Sequence, residues 1–196
     1  LREELIAAGH TFTTKSDTEV LLHGYEQWGV DLLQRVRGMF TFVIWDKNKQ
    51  ELFGARDHFG IKPFYYAKMN GTFMYASEIK SLLRHPDFVK ELNAEALKPY
   101  MTFQYPAIGE TFFKGVYKLP EGHYFTYRDG KMDIHRYYDE DFREGKQKLG
   151  ELVNSIDQTV CDSVKAHQIA DVEVGSFLSS GVDSSYVAAV ARPQHT

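Results

Sequence analysis

Two turn dipeptides, each set between runs rich in aromatic residues, limit the fold of this chain more than any other feature of its sequence. Asn70-Gly71 lies between Phe64-Tyr65-Tyr66-Ala67 and Thr72-Phe73-Met74-Tyr75-Ala76, and Arg128-Asp129-Gly130 lies between residues 123–127 and 131–137. Asn-Gly and Asp-Gly tolerate the positive φ angles of a tight hairpin, so each marks two neighbouring antiparallel strands. A further pair, residues 39–45 and 51–56, flanks the turn Asp46-Lys47-Asn48-Lys49. Consecutive hairpins build mainly antiparallel sheet with helices packed on it, an α+β arrangement. Ser16-Asp17-Thr18-Glu19 has the capping-box pattern and opens an apolar-periodic helix to about Val36. Shorter helices are predicted to begin near Ser77 and at Asn93, a good N-cap residue.

The composition then changes. Asp139-Glu140-Asp141-Phe142-Arg143-Glu144-Gly145-Lys146-Gln147-Lys148 is highly charged, contains a glycine and reads as a linker. Beyond it, Leu149, Leu152, Val153, Ile156, Val160 and Val164 recur at helical spacing and predict an amphipathic helix. Val174-Gly175-Ser176-Phe177-Leu178 reads as a buried strand, Ser179 to Ser185 as a polar loop, and Tyr186-Val187-Ala188-Ala189-Val190-Ala191 as a helix. That order resembles the opening of a parallel α/β domain. The chain therefore divides into segments 1–140, 141–148 and 149–196.

The loop carries the clearest chemistry. Free backbone N–H groups and hydroxyls at a helix N-terminus form an anion site, and phosphate is the usual anion. A Walker A loop requires G-x-x-x-x-G-K-S/T, and this loop has no lysine. The alternative is S-G-G-x-D-S, found in enzymes that split ATP between its α- and β-phosphates. Ser179-Ser180-Gly181-Val182-Asp183-Ser184 matches it at all positions but Ser180. Gly181 would allow close backbone approach and positive φ. Ser179, Ser184 and Ser185 can donate to phosphate oxygens, and Asp183 would orient the loop or help hold Mg²⁺. An ordinary serine-rich turn before a helix satisfies the same residues, because Ser and Asp are common N-caps.

Other classes are disfavoured. A net charge of −4 without a lysine or arginine run argues against nucleic-acid binding. No apolar run approaches the ~20 residues that span a bilayer. The single cysteine, Cys161, excludes an internal disulfide framework and suits a reducing, cytoplasmic setting. The eight histidines are scattered without H-E-x-x-H or C-x-x-C, so no metal site is expected.

Taken in order, several segments resemble the glutamine-hydrolysing asparagine synthetases. Ser16-Asp17-Thr18-Glu19-Val20 resembles the family's S-D-x-E-V/I, and Arg37-Gly38-Met39-Phe40-Thr41-Phe42 its L-x-G-M-F-A-F. The run from Arg56-Asp57-His58-Phe59-Gly60 to Tyr66 resembles R-D-x-x-G-x-K-P-L-Y-Y. Ala76-Ser77-Glu78-Ile79-Lys80-Ser81-Leu82 resembles A-S-E-x-K-A-L, and Leu119-Pro120-Glu121-Gly122-His123 resembles L-P-P-G-H. The phosphate loop follows in the family's order.

The resemblance implies that 1–140 is the later part of an N-terminal-nucleophile glutaminase domain, 141–148 a linker, and 149–196 the beginning of an ATP-dependent synthetase domain. It implies glutamine hydrolysis coupled to amidation of aspartate through an aspartyl-AMP intermediate. The expected ligands are glutamine, aspartate and ATP with Mg²⁺. No organic cofactor, nucleic acid or membrane is expected, and a homodimer is. Asp17 is the expected contact to the glutamine α-amino group. Leu178, Ser179, Ser180, Gly181, Asp183, Ser184 and Ser185 are the expected ATP and pyrophosphate contacts. The family's cysteine nucleophile has no counterpart after Leu1, so the chain is expected to be incomplete at both ends and inactive alone, with no catalytic residue of its own. Cys161 reads as structural, and Arg56-Asp57 as a hydrogen-bonded pair at a strand end. Lys62 and Glu78 are expected to form a polar network. Relatives acting on another acceptor (β-lactam-forming, lasso-peptide or envelope-sugar types) and a non-catalytic scaffold are the alternatives.

Overall fold

A computed structural model describes residues 1–105 and 108–193. The chain divides into two compact units, Leu1–Glu140 and Asp141–Thr196. In the first unit, helices α1 (Arg2–Ala7) and α2 (Asp17–Trp28) precede strands β1 (Thr41–Asp46), β2 (Glu51–Arg56), β3 (Tyr65–Met69) and β4 (Thr72–Ala76). Then come α3 (Ile79–Leu82), α4 (Leu97–Phe103), β5 (Val116–Lys118), β6 (His123–Arg128) and β7 (Lys131–Arg136). The second unit holds α5 (Leu149–His167) and α6 (Val182–Ala191).

The hairpin turns set the topology. Asn70 and Gly71 have φ of 50° and 81°, and Asp129 and Gly130 have 50° and 75°. Both central residues of each turn are thus left-handed, the geometry whose twist matches that of paired strands. The strands form two antiparallel sheets, β1-β2-β6-β7 and β4-β3-β5. Their alternating side chains divide the interior into layers. Phe53 and Ala55 of the first sheet pack with Tyr25 of α2 and with Leu32, Leu33 and Val36 just beyond it. Phe125, on the opposite face, packs with Phe64 and Leu119, and Phe73 of β4 stacks on Tyr127 of β6 at 4.2 Å. The far face of the second sheet, Ala67, Met74 and Val116, is covered by Leu82 of α3. The order is helix, sheet, sheet, helix. Within the first sheet, Gly54 leaves room for the ring of its cross-strand partner Phe125, since a Cβ there would lie 2.3 Å from it.

Several local expectations are corrected. Helix α2 does not run to Val36. It stops at Gly29, whose φ is 58°, and a 3₁₀ turn (Gly29–Gln34) carries Leu32 and Leu33 into the core. Asn93 precedes a short 3₁₀ turn and α4 without a side-chain cap, because its amide donates instead to Glu110 Oε2 and the Thr111 carbonyl, both at 3.1 Å. Arg56 and Asp57 are buried but are not bonded to one another. Arg56 donates to the carbonyls of Lys62 and Leu119 at 2.7 Å and to that of Gly60, while Asp57 accepts from the N–H groups of Ile61 and Lys62 at 2.9 Å. The two charges fold the 57–62 loop around themselves by satisfying its backbone. Glu78 pairs with its near neighbour Lys80, not with Lys62.

In the second unit, α5 lies where the periodicity predicts, but Leu149, Val153 and Ile156 are exposed. Its last turns meet α6: Tyr186 donates to Asp157 and lies 3.7 Å from Cys161 Sγ, and Gln168 Nε2 donates to the Ala191 carbonyl at 2.7 Å. Cys161 therefore packs between helices, as a structural cysteine would. Residues 174–178 lie in no helix or strand, and Phe177 is fully exposed. A strand is stabilised by hydrogen bonds to a neighbour, and the described residues of this unit contain no second strand. Helix α6 begins at Val182, four residues earlier than predicted.

Candidate functional site

The N-terminus of α2 is built by a side-chain network. Ser16 caps the helix, its Oγ accepting from the Thr18 N–H at 3.1 Å. The reciprocal half of a capping box is absent, because Glu19 turns to the preceding segment. Its carboxylate accepts from the N–H and hydroxyl groups of both Thr13 and Thr14, at 2.5–2.9 Å. The Thr13 backbone and Thr14 hydroxyl bonds dominate in holding the Glu19 carboxyl at about 2, well below its ordinary 4.5. Asp17 is the first residue of α2 and is exposed. Among the described residues, the hydroxyls of Ser16 and Thr18 approach its Oδ1, both at 3.5 Å, and hold it weakly. Beside it opens a cleft of about 580 Å³ between this turn and β1. Ser16 and Thr18 line that cleft, whereas Asp17 does not.

The serine loop belongs to the second unit. Ser179 and Ser184 are bonded Oγ to Oγ at 2.9 Å, and Ser179 Oγ accepts from the Gly181 N–H at 3.3 Å. Ser184 Oγ lies 3.0 and 3.1 Å from the Ser179 and Gly181 carbonyls, and Ser185 Oγ donates to the Gly181 carbonyl at 2.8 Å. Four of the predicted residues are thus gathered around one helix start. Leu178, Ser180 and Asp183 are exposed beside them, with Asp183 in the first turn of α6. Gly181 is the N-cap, with φ −76° and ψ 152°. That is ordinary extended backbone, so the glycine is not used for a left-handed turn. Its role is space: a Cβ there would come within 3.3 Å of Ser179 Oγ. The first N–H groups of α6 lack intrahelical partners, as at any helix start, and face an anion favourably.

The structure also assembles a group that sequence reasoning passed over. His10, His23 and Glu26 bring ligand atoms within 4.8 Å of one another. The available signal was His23-x-x-Glu26 on one helix face. His10 comes from a separate segment, and no spacing rule links it to them.

Similarity to known proteins falls on the same two units. The family model described as a glutamine amidotransferase domain matches residues 1–138, and one described as asparagine synthase matches residues 155–196. The chain is 44% identical over 196 residues to asparagine synthetase [glutamine-hydrolyzing] 1 of Bacillus subtilis (strain 168), covering 100% of this chain and 31% of that protein. It is 36% identical over 194 residues to asparagine synthetase [glutamine-hydrolyzing] 3 of the same organism, covering 97% and 31%. It is also 34% identical over 186 residues to amidase chry2 of Gibberella zeae, covering 90% and 26%. The chain thus spans about 31% of the length of the first two relatives. The match across residues 1–138, most of its length, makes this chain a member of the glutamine amidotransferase domain family.

Proposed function

We propose that this chain serves a glutamine-dependent, ATP-driven synthesis of asparagine from aspartate. In that reading, residues 1–140 belong to the ammonia-releasing glutaminase, residues 141–148 are a linker, and residues 149–196 open the synthetase. The aspartate side-chain carboxylate attacks the α-phosphorus of ATP and pyrophosphate leaves. Ammonia then attacks the acyl carbon of the aspartyl-AMP and AMP departs. The products are asparagine, glutamate, AMP and pyrophosphate.

The observation that carries the reading is the joining, in one chain, of an amidotransferase match to a serine loop that caps α6 within an asparagine synthase match. Asp17 is assigned to the glutamine α-amino group, since its carboxylate is exposed and its neighbours Ser16 and Thr18 line the cleft beside α2. The hydroxyls of Ser184 and Ser185 now donate within the loop, that of Ser179 is bonded to Ser184, and all three would turn outward to phosphate oxygens. Leu178, Ser180 and Gly181 supply backbone at the same anion site. The Asp183 carboxylate, an exposed hard-oxygen donor, suits the Mg²⁺ that arrives with ATP. The same reading implies no organic cofactor and no nucleic-acid partner, and it places the enzyme in the cytoplasm as a homodimer. No helix among the described residues is long and apolar enough to cross a membrane.

The test is product analysis on the full-length product of the reading frame that encodes this chain, supplied with glutamine, ATP, Mg²⁺ and aspartate. Asparagine, AMP and pyrophosphate in equal amounts are expected. ADP with phosphate in place of AMP would overturn the loop assignment. The amidase among the relatives favours a second reading in which the acceptor differs. Aspartate-independent pyrophosphate release, stimulated by another carboxylate, would establish that one instead.

A further inference from the structure

We propose that His10, His23 and Glu26 form a binding site for one divalent transition-metal ion, with zinc the best fit. Neither the glutamine nor the ATP reading uses these residues. His23 and Glu26 sit one turn apart on α2, and His10 arrives from the chain that leaves α1. The His10 N–H is fixed to the Leu5 carbonyl at 3.0 Å, and Phe12 meets the His23 ring edge-on at 4.8 Å. Both histidine side chains are more than four-fifths buried, whereas Glu26 is half exposed.

The distances fit a metal. His10 Nδ1 and His23 Nδ1 are 3.3 Å apart, and Glu26 Oε2 lies 2.8 Å from the second and 3.7 Å from the first. These three separations define a circle of radius about 1.9 Å. Zinc binds imidazole nitrogen at about 2.0–2.1 Å and carboxylate oxygen at about 2.0–2.2 Å. An ion could therefore contact all three atoms from slightly above their plane, without side-chain rearrangement. The open side would take water as a fourth ligand, completing the two-histidine, one-glutamate set that zinc commonly adopts. Two imidazoles disfavour Mg²⁺ and Ca²⁺, which prefer oxygen.

The surroundings orient the donors. Gln27 Oε1, which can only accept, faces His10 Nε2 at 2.9 Å. The hydrogen of a neutral His10 is therefore on Nε2, and its Nδ1 lone pair points inward. Ligating histidines usually carry such an outer partner, which fixes the ring and its basicity. In the metal-free chain the 2.8 Å contact between His23 Nδ1 and Glu26 Oε2 is a hydrogen bond, and a bound metal ion would take the place of its proton. A metal ion would also tie the segment after α1 to α2, the helix that carries Asp17.

The experiment is calorimetric titration of Zn²⁺ into the metal-stripped chain, with Co²⁺ absorption as an independent readout. One tight equivalent is expected, with the intense visible bands of four-coordinate Co²⁺. Affinity should fall at least about a hundredfold in His23→Gln and at least about tenfold in Glu26→Gln and Gln27→Ala. His135→Gln, a histidine elsewhere in the chain, should bind as the parent does. Glu26 is half exposed, so Glu26→Gln keeps its fold and carries the test if His23→Gln does not fold. Equal Zn²⁺ affinity in the parent, His23→Gln and Glu26→Gln would overturn the proposal, as would failure of the parent to bind micromolar Zn²⁺.

Discussion

Glu19 and Asp17 stand two positions apart, yet their environments give them opposite tasks. Glu19 is saturated by four donors from Thr13 and Thr14, and those bonds favour its ionised form. Its folded value near 2 lies below its ordinary 4.5, so its contribution to the turn is complete above pH 4.5 and is lost as pH falls toward 2. Amide exchange at Thr13 and Thr14 should accelerate across that window, and Glu19→Gln should show fast exchange there already at neutral pH. A carboxyl titrating at its ordinary value in the folded chain would contradict the network. Asp17 has no comparable partner, which is what a ligand contact requires. A charge-assisted hydrogen bond contributes about 1.5–3 kcal/mol, or roughly ten- to a hundredfold in affinity. Asp17→Asn in the full-length enzyme should therefore raise KM for glutamine by about that factor and spare ammonia-dependent synthesis. Equal loss of both activities would remove Asp17 from the glutamine site.

At the scale of elements, the serine loop and the start of α6 act as one unit. Gly181 caps the helix without positive φ, so any residue could adopt its backbone, and only crowding forbids a side chain. Gly181→Val would press on Ser179 Oγ and splay the hydroxyls from the helix start. ATP affinity should fall by at least about tenfold, a loss of roughly 1.4 kcal/mol, while Ser180→Gly should be tolerated. Equilibrium binding of ATP to the two full-length variants checks both, and unchanged affinity in Gly181→Val would detach the loop from phosphate. What the sequence disclosed follows the range of the forces involved. The hairpins were legible because two residues with positive φ dictate each turn locally. Helix α2 was read too long because the apolar spacing of Leu32, Leu33 and Val36 continues past Gly29, where the backbone changes hand. The strand at 174–178 was read from apolar content, but pairing is not a property of one segment. The early start of α6 follows from the same Ser and Asp preference for first turns that made a plain turn a fair alternative. The His10, His23 and Glu26 cluster needed the path of the chain between α1 and α2, which no local pattern encodes.

At the scale of the whole chain, apolar burial is divided very unequally. Among the described residues, all the buried clusters lie in the first unit, where two sheets and their covering helices enclose Phe53, Phe125 and Met74. Helices α5 and α6 bury no residue fully, and the apolar stripe of α5 remains open. Burial of apolar surface is the main favourable term in folding, so local stability must follow the same division. Residues 140–148, where the second unit begins, are all exposed, and they include Arg143, Lys146 and Lys148. The backbone there lies in no helix or strand until Leu149, and the Arg143 side chain pairs with the nearby Asp141. Brief trypsin treatment of the chain should therefore cut at those three residues, or within the second unit, before any site in Leu1–Glu140. Peptide bonds inside the sheets are reached only by global unfolding, so their cleavage should be slower by a factor of about a thousand or more for a unit of ordinary stability. Mass spectrometry should find an enduring species ending between residues 143 and 148. That species should melt in one cooperative transition. Early cleavage between β1 and β7, or a species that melts without cooperativity, would mean that the layered unit depends on the residues beyond 140 for its stability.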